Sequence, residues 1–165
     1  MRTIRTNVFE TNSSSIHVLS ICKESVYNDF FYKHIGLWSD DRERIMTYEE
    51  VCKYLKETYK QDYYYKYFVQ DCAKDYVADP EKIFTVQNLA KVVKDHDGNI
   101  HNAYSELELE NGIDNDEAAL LYWLRKDFRT ADEFAEQEWI EEEFDQTYTT
   151  DSGEKIVAFG YYGRG

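Results

Sequence analysis

Residues 8–17 read Val8-Phe9-Glu10-Thr11-Asn12-Ser13-Ser14-Ser15-Ile16-His17, a polar cluster between two apolar runs. Apolar and polar residues alternate before the cluster, and residues 16–21 after it are rich in β-branched side chains. This pattern predicts two strands, near 2–10 and 16–21, on either side of a tight turn. Asn and Ser favour such turns because their short side chains hydrogen-bond to nearby backbone groups. We take this hairpin as the element around which the rest of the chain packs.

A second hairpin is predicted at the other end of the chain. Residues 147–150 and 155–159 are strand-like, and the Asp-Ser-Gly sequence at 151–153 is typical of a hairpin loop. Residues 156–159 are apolar on both faces, which predicts a central strand. The last six residues, 160–165, are predicted to form a loose tail.

Six helices are predicted between the hairpins from apolar residues at helical spacing and from capping residues. The first helix lies near 24–35, the second runs from a capping box at Thr47 and Glu50 to about 58, and the third lies near 62–78. The fourth begins at a cap at Thr85 and the fifth at a cap at Asp114. The sixth covers 131–144 and follows a capping box at Thr130 and Glu133. Residues 36–46 are predicted to be a charged loop. Residues 100–113 fit no single element, because Leu107 and Leu109 alternate as in a strand between acidic flanks.

Chain length and element order together predict one α+β domain over residues 1–165. An antiparallel sheet of about four strands, built from the N- and C-terminal hairpins, is expected to be covered by about six helices. Apolar residues make up 42% of the chain, which is enough for a single core.

The cysteines and the N-terminal residues favour a reduced, cytoplasmic location. Cys22, Cys52 and Cys72 are an odd number without a C-x-x-C pair, and the last two lie in helical patterns, where a buried thiol is the ordinary interpretation. No apolar h-region follows Arg2 and Arg5, and no stretch has the roughly 18 apolar residues that span a bilayer. No motif implies a cofactor.

The net charge of −14 is concentrated in one segment. Residues 106–145 hold 15 acidic and 3 basic side chains, a net charge of −12, whereas residues 1–105 hold 16 acidic and 14 basic ones. Nucleic acid is excluded as a partner of such a surface, because its phosphates are bound by Lys and Arg. An acidic surface suits basic partners, including proteins whose basic grooves normally hold nucleic acid.

Two interpretations of the acidic segment 106–145 stay open. A charge run usually forms a solvated helical face that keeps a protein soluble. Self-repulsion also costs stability, which favours a functional role in which carboxylates imitate a row of phosphates. The candidate partner-binding residues are Glu136, Glu138, Glu141, Glu142, Glu143 and Asp145.

The Ser-rich turn offers an enzymatic alternative. Ser15 and His17 share a face if the strand begins at Ser15, and a hydroxyl beside an imidazole is the minimum for nucleophilic catalysis. Glu10 across the hairpin is placed to orient the imidazole. In the structural interpretation the serines only satisfy backbone groups, and the chain has no G-x-S-x-G elbow.

A related series of residues resembles a known enzyme family. Arg5, the Ser13-Ser14 pair and Glu136-Gln137-Glu138 are similar, in that order, to the Arg…Ser-Thr-Ser…Glu-x-Glu series of ADP-ribosyltransferases. In that family the acidic pair ends a strand or lies in a loop beside one, whereas here it falls within a predicted helix. The enzymatic hypothesis has Arg5, Ser13, Ser14 and His17 as its candidate catalytic residues.

Polar residues near 95–101 are candidate metal ligands. They are Asp95, His96, Asp97 and His101. The Asp-x-Asp-Gly-Asn fragment resembles a calcium loop, but an EF-hand places its Gly sixth, which puts Val93 where a carboxylate is required. We therefore predict a polar turn here and no metal site.

The stretch from Arg5 to His17 resembles the opening of small proteins of phages and bacterial mobile elements, which share a V-F-E-T-N-S-S-S-x-H signature. The likeness covers roughly residues 1–20, and Ile16 stands where a fourth Ser or Thr is expected. Many anti-CRISPR proteins of phages are small, acidic and cytosolic. The resemblance therefore implies an inhibitor of a basic host-defence protein, such as a CRISPR effector. A structural or interaction module, in which the turn at 11–15 only closes the sheet, is the third hypothesis.

Overall fold

The computed structural model of the protein describes residues 15–59, 78–111, 115–136 and 140–164, which form six strands and seven helices. The strands are β1 (Ser15–Lys23), β2 (Leu37–Ser39), β3 (Arg44–Met46), β4 (Phe128–Arg129), β5 (Ile140–Thr149) and β6 (Lys155–Arg164). The helices are α1 (Glu24–Phe31), α2 (Tyr48–Tyr59), α3 (Pro80–Ile83), α4 (Val86–Asp95), α5 (Ile100–Asn111), α6 (Asp116–Asp127) and α7 (Ala131–Ala135). The predicted α+β class is confirmed.

The larger sheet joins the two ends of the described chain. Its strand order is β1-β6-β5, and both pairings are antiparallel. The register runs from Ser15 opposite Arg164 to Lys23 opposite Ile156. The predicted central position of residues 156–159 is confirmed, and the predicted loose tail is wrong, because β6 continues to Arg164 and pairs with β1.

The predicted sheet of about four strands is replaced by two sheets of three strands within the described residues. The first predicted strand, 2–10, lies outside them. The second sheet has the order β3-β2-β4, and its strands β2 and β3 occupy the predicted charged loop 36–46. Charged residues between two three-residue strands dominate the composition there, but Leu37, Trp38 and Met46 are buried.

Capping residues predicted most helix starts correctly. Thr47 and Glu50 form the expected box, with Glu50 Oε2 accepting from the Thr47 N–H at 2.9 Å, and Thr85 caps α4. Helix α6 is capped by Asn115, whose Oδ1 accepts from Ala118 N at 2.9 Å, one residue beyond the predicted cap. Residues 100–111, which fit no single element in sequence, form α5. The predicted helix 62–78 lies outside the described residues apart from its last residue.

The predicted helix 131–144 is wrong at Glu136 and over residues 140–144, and residues 137–139 lie outside the described part of the chain. Its capping box at Thr130 and Glu133 is present, but β5 begins at Ile140. Apolar residues at 140, 144 and 148 are four positions apart, a spacing that fits a helical stripe and also one face of a strand. Pairing with β6 decides between the two, since tertiary contacts override local preference.

The buried apolar residues form two clusters. The helical cluster surrounds Trp123 and includes Leu55, Leu89 and Ile100. The sheet cluster lies between the larger sheet, α1, α7 and the smaller sheet, and its members are Val18, Phe30, Trp38, Ile45, Ala131, Phe134, Val157, Phe159 and Tyr161. No helix in the described ranges is long and apolar enough to cross a membrane.

Replacing Gly160 with Ala should strongly destabilise the protein. A Cβ at this position would lie 1.8 Å from the Val18 carbonyl oxygen on the neighbouring strand, and backbone cannot move aside as a side chain can. We expect Gly160→Ala to lower the free energy of unfolding by about 3 kcal/mol or more, measured by urea denaturation. Gly153→Ala is the control, because Gly153 has φ +84° but nothing within 4 Å. Its expected loss is about 1–2 kcal/mol, so equal losses would contradict the proposed clash.

Candidate partner-binding site

The residues of the enzymatic hypothesis lie mostly outside the described part of the chain. Arg5, Ser13 and Ser14 precede residue 15. His17 lies in β1 opposite Tyr162 of β6. The Ser-His arrangement therefore stays a prediction, as does the pairing of Arg5 with the acidic pair. Glu136, the first residue of that acidic pair, follows the end of α7 rather than lying within a helix, and Glu138 lies outside the described residues.

The candidate metal ligands form a turn whose histidines contact carboxylates. Helix α4 ends at Asp95, and Asp97 and Gly98 adopt left-handed backbone angles of φ 51° and 77°, which confirms the predicted turn. His96 Nε2 lies 2.7 Å from Glu117 Oε1, and His101 Nδ1 lies 3.0 Å from a Glu133 oxygen. Among the described residues, no three His, Cys, Asp or Glu side chains are grouped to hold a metal ion.

Several carboxylates of the acidic segment 106–145 have structural partners. The Glu133 side chain is 9% exposed and accepts from His101 N at 2.9 Å and from Thr130 N at 3.0 Å. Burial alone would raise the pKa of Glu133, but the hydrogen bonds from His101 and Thr130 outweigh it and the pKa is lowered. This carboxylate fastens the start of α5 to the start of α7.

Asp127 is a second carboxylate with a structural role. It accepts a hydrogen bond from Tyr54 Oη at 3.2 Å. Burial raises the pKa of Asp127, and burial together with the charges of Asp127 and Asp41 raises the pKa of Tyr54 to about 12. At neutral pH Tyr54 therefore remains a donor. The acidic segment is thus not one uniform solvated face, because the Glu133 and Asp127 carboxylates accept hydrogen bonds from other elements of the fold.

The remaining carboxylates of the predicted partner-binding set lie at the end of the segment. Glu136 is exposed at the C-terminus of α7, and Glu143 and Asp145 are exposed on β5. We call these three residues the acidic rim. Glu141 and Glu142 also lie on β5, where the register shifts between Ile140 and Glu142, and Glu138 is outside the described residues. The predicted row on a helix is therefore wrong, and a strand carries most of these residues.

Strand geometry places two rim carboxylates on one face. Glu143 and Asp145 are two residues apart, so they point the same way and lie about 6.6 Å apart along the strand. They are opposite Tyr161 and Phe159 of β6, whose side chains are buried in the sheet cluster. Among the described strands, β5 is at the end of its sheet. These carboxylates therefore face the same side as the aromatic core but lie beyond its edge.

An open groove of about 310 Å³ lies between the rim and the core. We call it the aromatic groove; its lining residues are Tyr27, Phe31, Phe134, Ala135, Glu143, Phe144, Asp145, Phe159 and Gly160. Phe134 and Phe159 are buried, whereas Tyr27 and Phe31 are half-buried. Phe31 joins these rings, with centroid distances of 4.6 Å to Tyr27, 5.9 Å to Phe134 and 5.7 Å to Phe159.

A hydrogen bond crosses the groove from α1 to β5. The Tyr27 hydroxyl donates to Asp145 Oδ2 at 2.8 Å. Burial, this bond and the negative charges of Asp145 and Glu143 raise the pKa of Tyr27, so the hydroxyl stays protonated in the physiological range. Tyr27 thus holds one oxygen of Asp145 in place across the groove.

Sequence analysis did not identify the aromatic side of this site. The predicted helices near 24–35 and over 131–144 contain Tyr27, Phe31 and Phe134, but their spacing does not indicate that these rings meet. The missing information is long-range, since Tyr27 and Asp145 are 118 residues apart in the chain. No periodicity within one element reports such a contact.

No protein-family model, curated protein or solved structure matches this chain. Its function is therefore argued from the geometry of the acidic rim and the aromatic groove.

Replacing Glu133 with Gln should remove a pH-dependent part of the stability. Because the folded-state pKa lies below its ordinary value of 4.5, the Glu133 contribution is present at neutral pH and is lost as pH falls through the folded-state pKa. We expect Glu133→Gln to cost about 1–3 kcal/mol at neutral pH, with a smaller difference in acid, measured by denaturation across pH. Glu106→Gln, at an exposed position on α5, should cost almost nothing. A cost for Glu133→Gln that is independent of pH would contradict the role of its charge.

Proposed function

We propose that this protein binds a basic partner protein through the acidic rim of Glu136, Glu143 and Asp145. The observation that carries the proposal is that Glu143 and Asp145 share one face of β5 and line the aromatic groove. On the helices, Asp29 and Asp95 have lysine partners at 2.7 and 2.5 Å, whereas the exposed Glu57 and Glu106 have no ion pair with a described residue. The rim carboxylates have no ion pair with any described residue, so their charge is available to a partner.

The proposed partner is a protein whose basic groove normally binds nucleic acid. Such a groove presents Lys and Arg at positions that match phosphates, and the Glu143 and Asp145 carboxylates on one face of a strand offer the same sign of charge. The resemblance of the N-terminus to phage and mobile-element proteins supports a host-defence protein, such as a CRISPR effector, as the target. The protein would then act as a cytoplasmic inhibitor without an enzymatic step or a cofactor.

Protection of a sheet edge is the competing explanation of the rim. Strands at sheet edges carry charged side chains that prevent edge-to-edge association. That role needs no partner and predicts that removing the charge promotes self-association. The proposed function instead predicts that reversing the charge abolishes a specific heterologous complex, whereas edge protection predicts no effect of the reversal, because Lys also protects a sheet edge.

The test is charge reversal at two rim positions, Glu136→Lys/Glu143→Lys. We expect the unmodified protein to capture a nucleic-acid-binding protein from bacterial lysate at low salt. The complex should dissociate at about 1 M salt, where the screening length is about 3 Å, and added DNA should compete with it. The double variant should slow association at least about tenfold, measured on the purified complex.

A matched control separates rim position from net charge. Glu57→Lys/Glu106→Lys makes the same change in charge at exposed positions on α2 and α5, and it should leave association nearly unchanged. Equal loss in both double variants would show a general charge effect and overturn the proposal. A captured protein that DNA does not displace would refute the nucleic-acid-groove assignment. An unchanged complex and an unchanged monomeric state in the rim variant would favour edge protection, because Lys protects a sheet edge as Glu does.

A further inference from the structure

The aromatic groove combines two features that favour a cation. Its walls contain the half-buried rings of Tyr27 and Phe31, and aromatic ring faces attract cations through their negative quadrupole. Its lining also includes Glu143 and Asp145, two of the three residues of the acidic rim. No Lys, Arg or His is among the described residues that line it. The groove therefore offers ring faces and negative charge with no cation of its own.

The free carboxylate oxygens define what the cation must donate. Asp145 Oδ2 accepts a hydrogen bond from the Tyr27 hydroxyl, whereas Asp145 Oδ1 has no hydrogen-bond partner among the described residues. Glu143 likewise makes no hydrogen bond or ion pair within the described chain. A ligand that contacts both residues therefore needs at least two N–H donors pointing in different directions. An ammonium, with three donors, and a guanidinium, with five in a planar fork, both meet this requirement, but only the planar guanidinium can also stack on a ring face.

Elsewhere in the protein, two arginine guanidinium groups lie over tyrosine rings. The Arg125 guanidinium carbon lies 3.9 Å from the centroid of Tyr104, and that of Arg42 lies 5.6 Å from the centroid of Tyr54. Planar guanidinium groups stack on rings in this way while their edges remain available for hydrogen bonds. The same combination is possible in the groove.

We propose that the aromatic groove receives an arginine side chain of the basic partner, with its guanidinium against the Tyr27 and Phe31 rings and hydrogen-bonded to Glu143 and Asp145 Oδ1. The inference deepens the proposed function and rests on it for the source of the arginine. The volume of about 310 Å³ lies at the lower end of the range for ligand pockets, which suits one inserted side chain. Charge complementarity selects this occupant over an apolar side chain.

The test measures arginine binding without the partner. Nα-acetyl-arginine-methylamide is titrated into the full chain and followed by NMR, with Nα-acetyl-citrulline-methylamide as the neutral probe of the same shape. We expect saturable shifts of Tyr27 and Phe31 ring signals with a dissociation constant in the roughly millimolar range. Citrulline should produce no saturable shift, and the lysine analogue should bind more weakly.

Isosteric variants connect the binding to the two carboxylates. Glu143→Gln/Asp145→Asn keeps an acceptor for the Tyr27 hydroxyl but removes both charges, and it should raise the dissociation constant by about tenfold or more. Glu106→Gln/Asp151→Asn removes two exposed charges outside both the acidic rim and the groove lining and should leave the constant within about twofold. Unchanged unfolding midpoints in both variants show that the fold is intact.

The possible outcomes separate this inference from the proposed function. Equal shifts with citrulline would assign the groove to an apolar or neutral side chain and overturn the inference. Absence of any groove shift with arginine would also overturn it, even if rim variants still lose the captured partner. Arginine binding that depends on both carboxylates supports the inference, and its occurrence without any captured protein would refute only the proposed function.

Discussion

Strand β6 is the element on which the rest of the described structure depends. It pairs on one side with β1 and on the other with β5, so Tyr161 lies opposite both Val18 and Glu143. One face of this strand supplies Val157, Phe159 and Tyr161 to the sheet cluster. Because β6 is central, residues from both ends of the described chain share one surface. The close approach of Gly160 to the Val18 carbonyl is part of the same constraint.

Hydrogen bonds fix the position of α7, which lines the other side of the aromatic groove. Thr130 Oγ1 donates to the Gly98 carbonyl, and Glu133 accepts from His101 N, so α7 is fixed to the turn before α5. Fixing α7 places Phe134, whose ring centroid lies 4.6 Å from that of Trp38. Phe134, which lines the aromatic groove, therefore belongs to a helix that buried hydrogen bonds hold in place. A lining residue that is already fixed lowers the entropic cost of binding a side chain.

Carboxylates close together in sequence have different physical roles in this protein. Glu133 is a buried acceptor with a lowered pKa, Asp127 is half-buried with a raised pKa, and Glu143 is exposed at a sheet edge. Their net charge is a property of the sequence, but each role depends on partners from distant elements. The candidate site is therefore smaller than the acidic segment and lies at its C-terminal end.

The sequence by itself determined the α+β class, most helix starts and the central position of residues 156–159. These features depend on local chemistry: Thr47 and Thr85 cap helices with their own side chains, and an apolar run on both faces marks a central strand. Only the tertiary structure decided that residues 140–146 belong to the strand, because the apolar spacing of four fits both periodicities and pairing with β6 selects one. It also decided that Tyr27 meets Asp145. Contacts between residues so far apart in the chain depend on how the elements pack, and local spacing does not encode that packing.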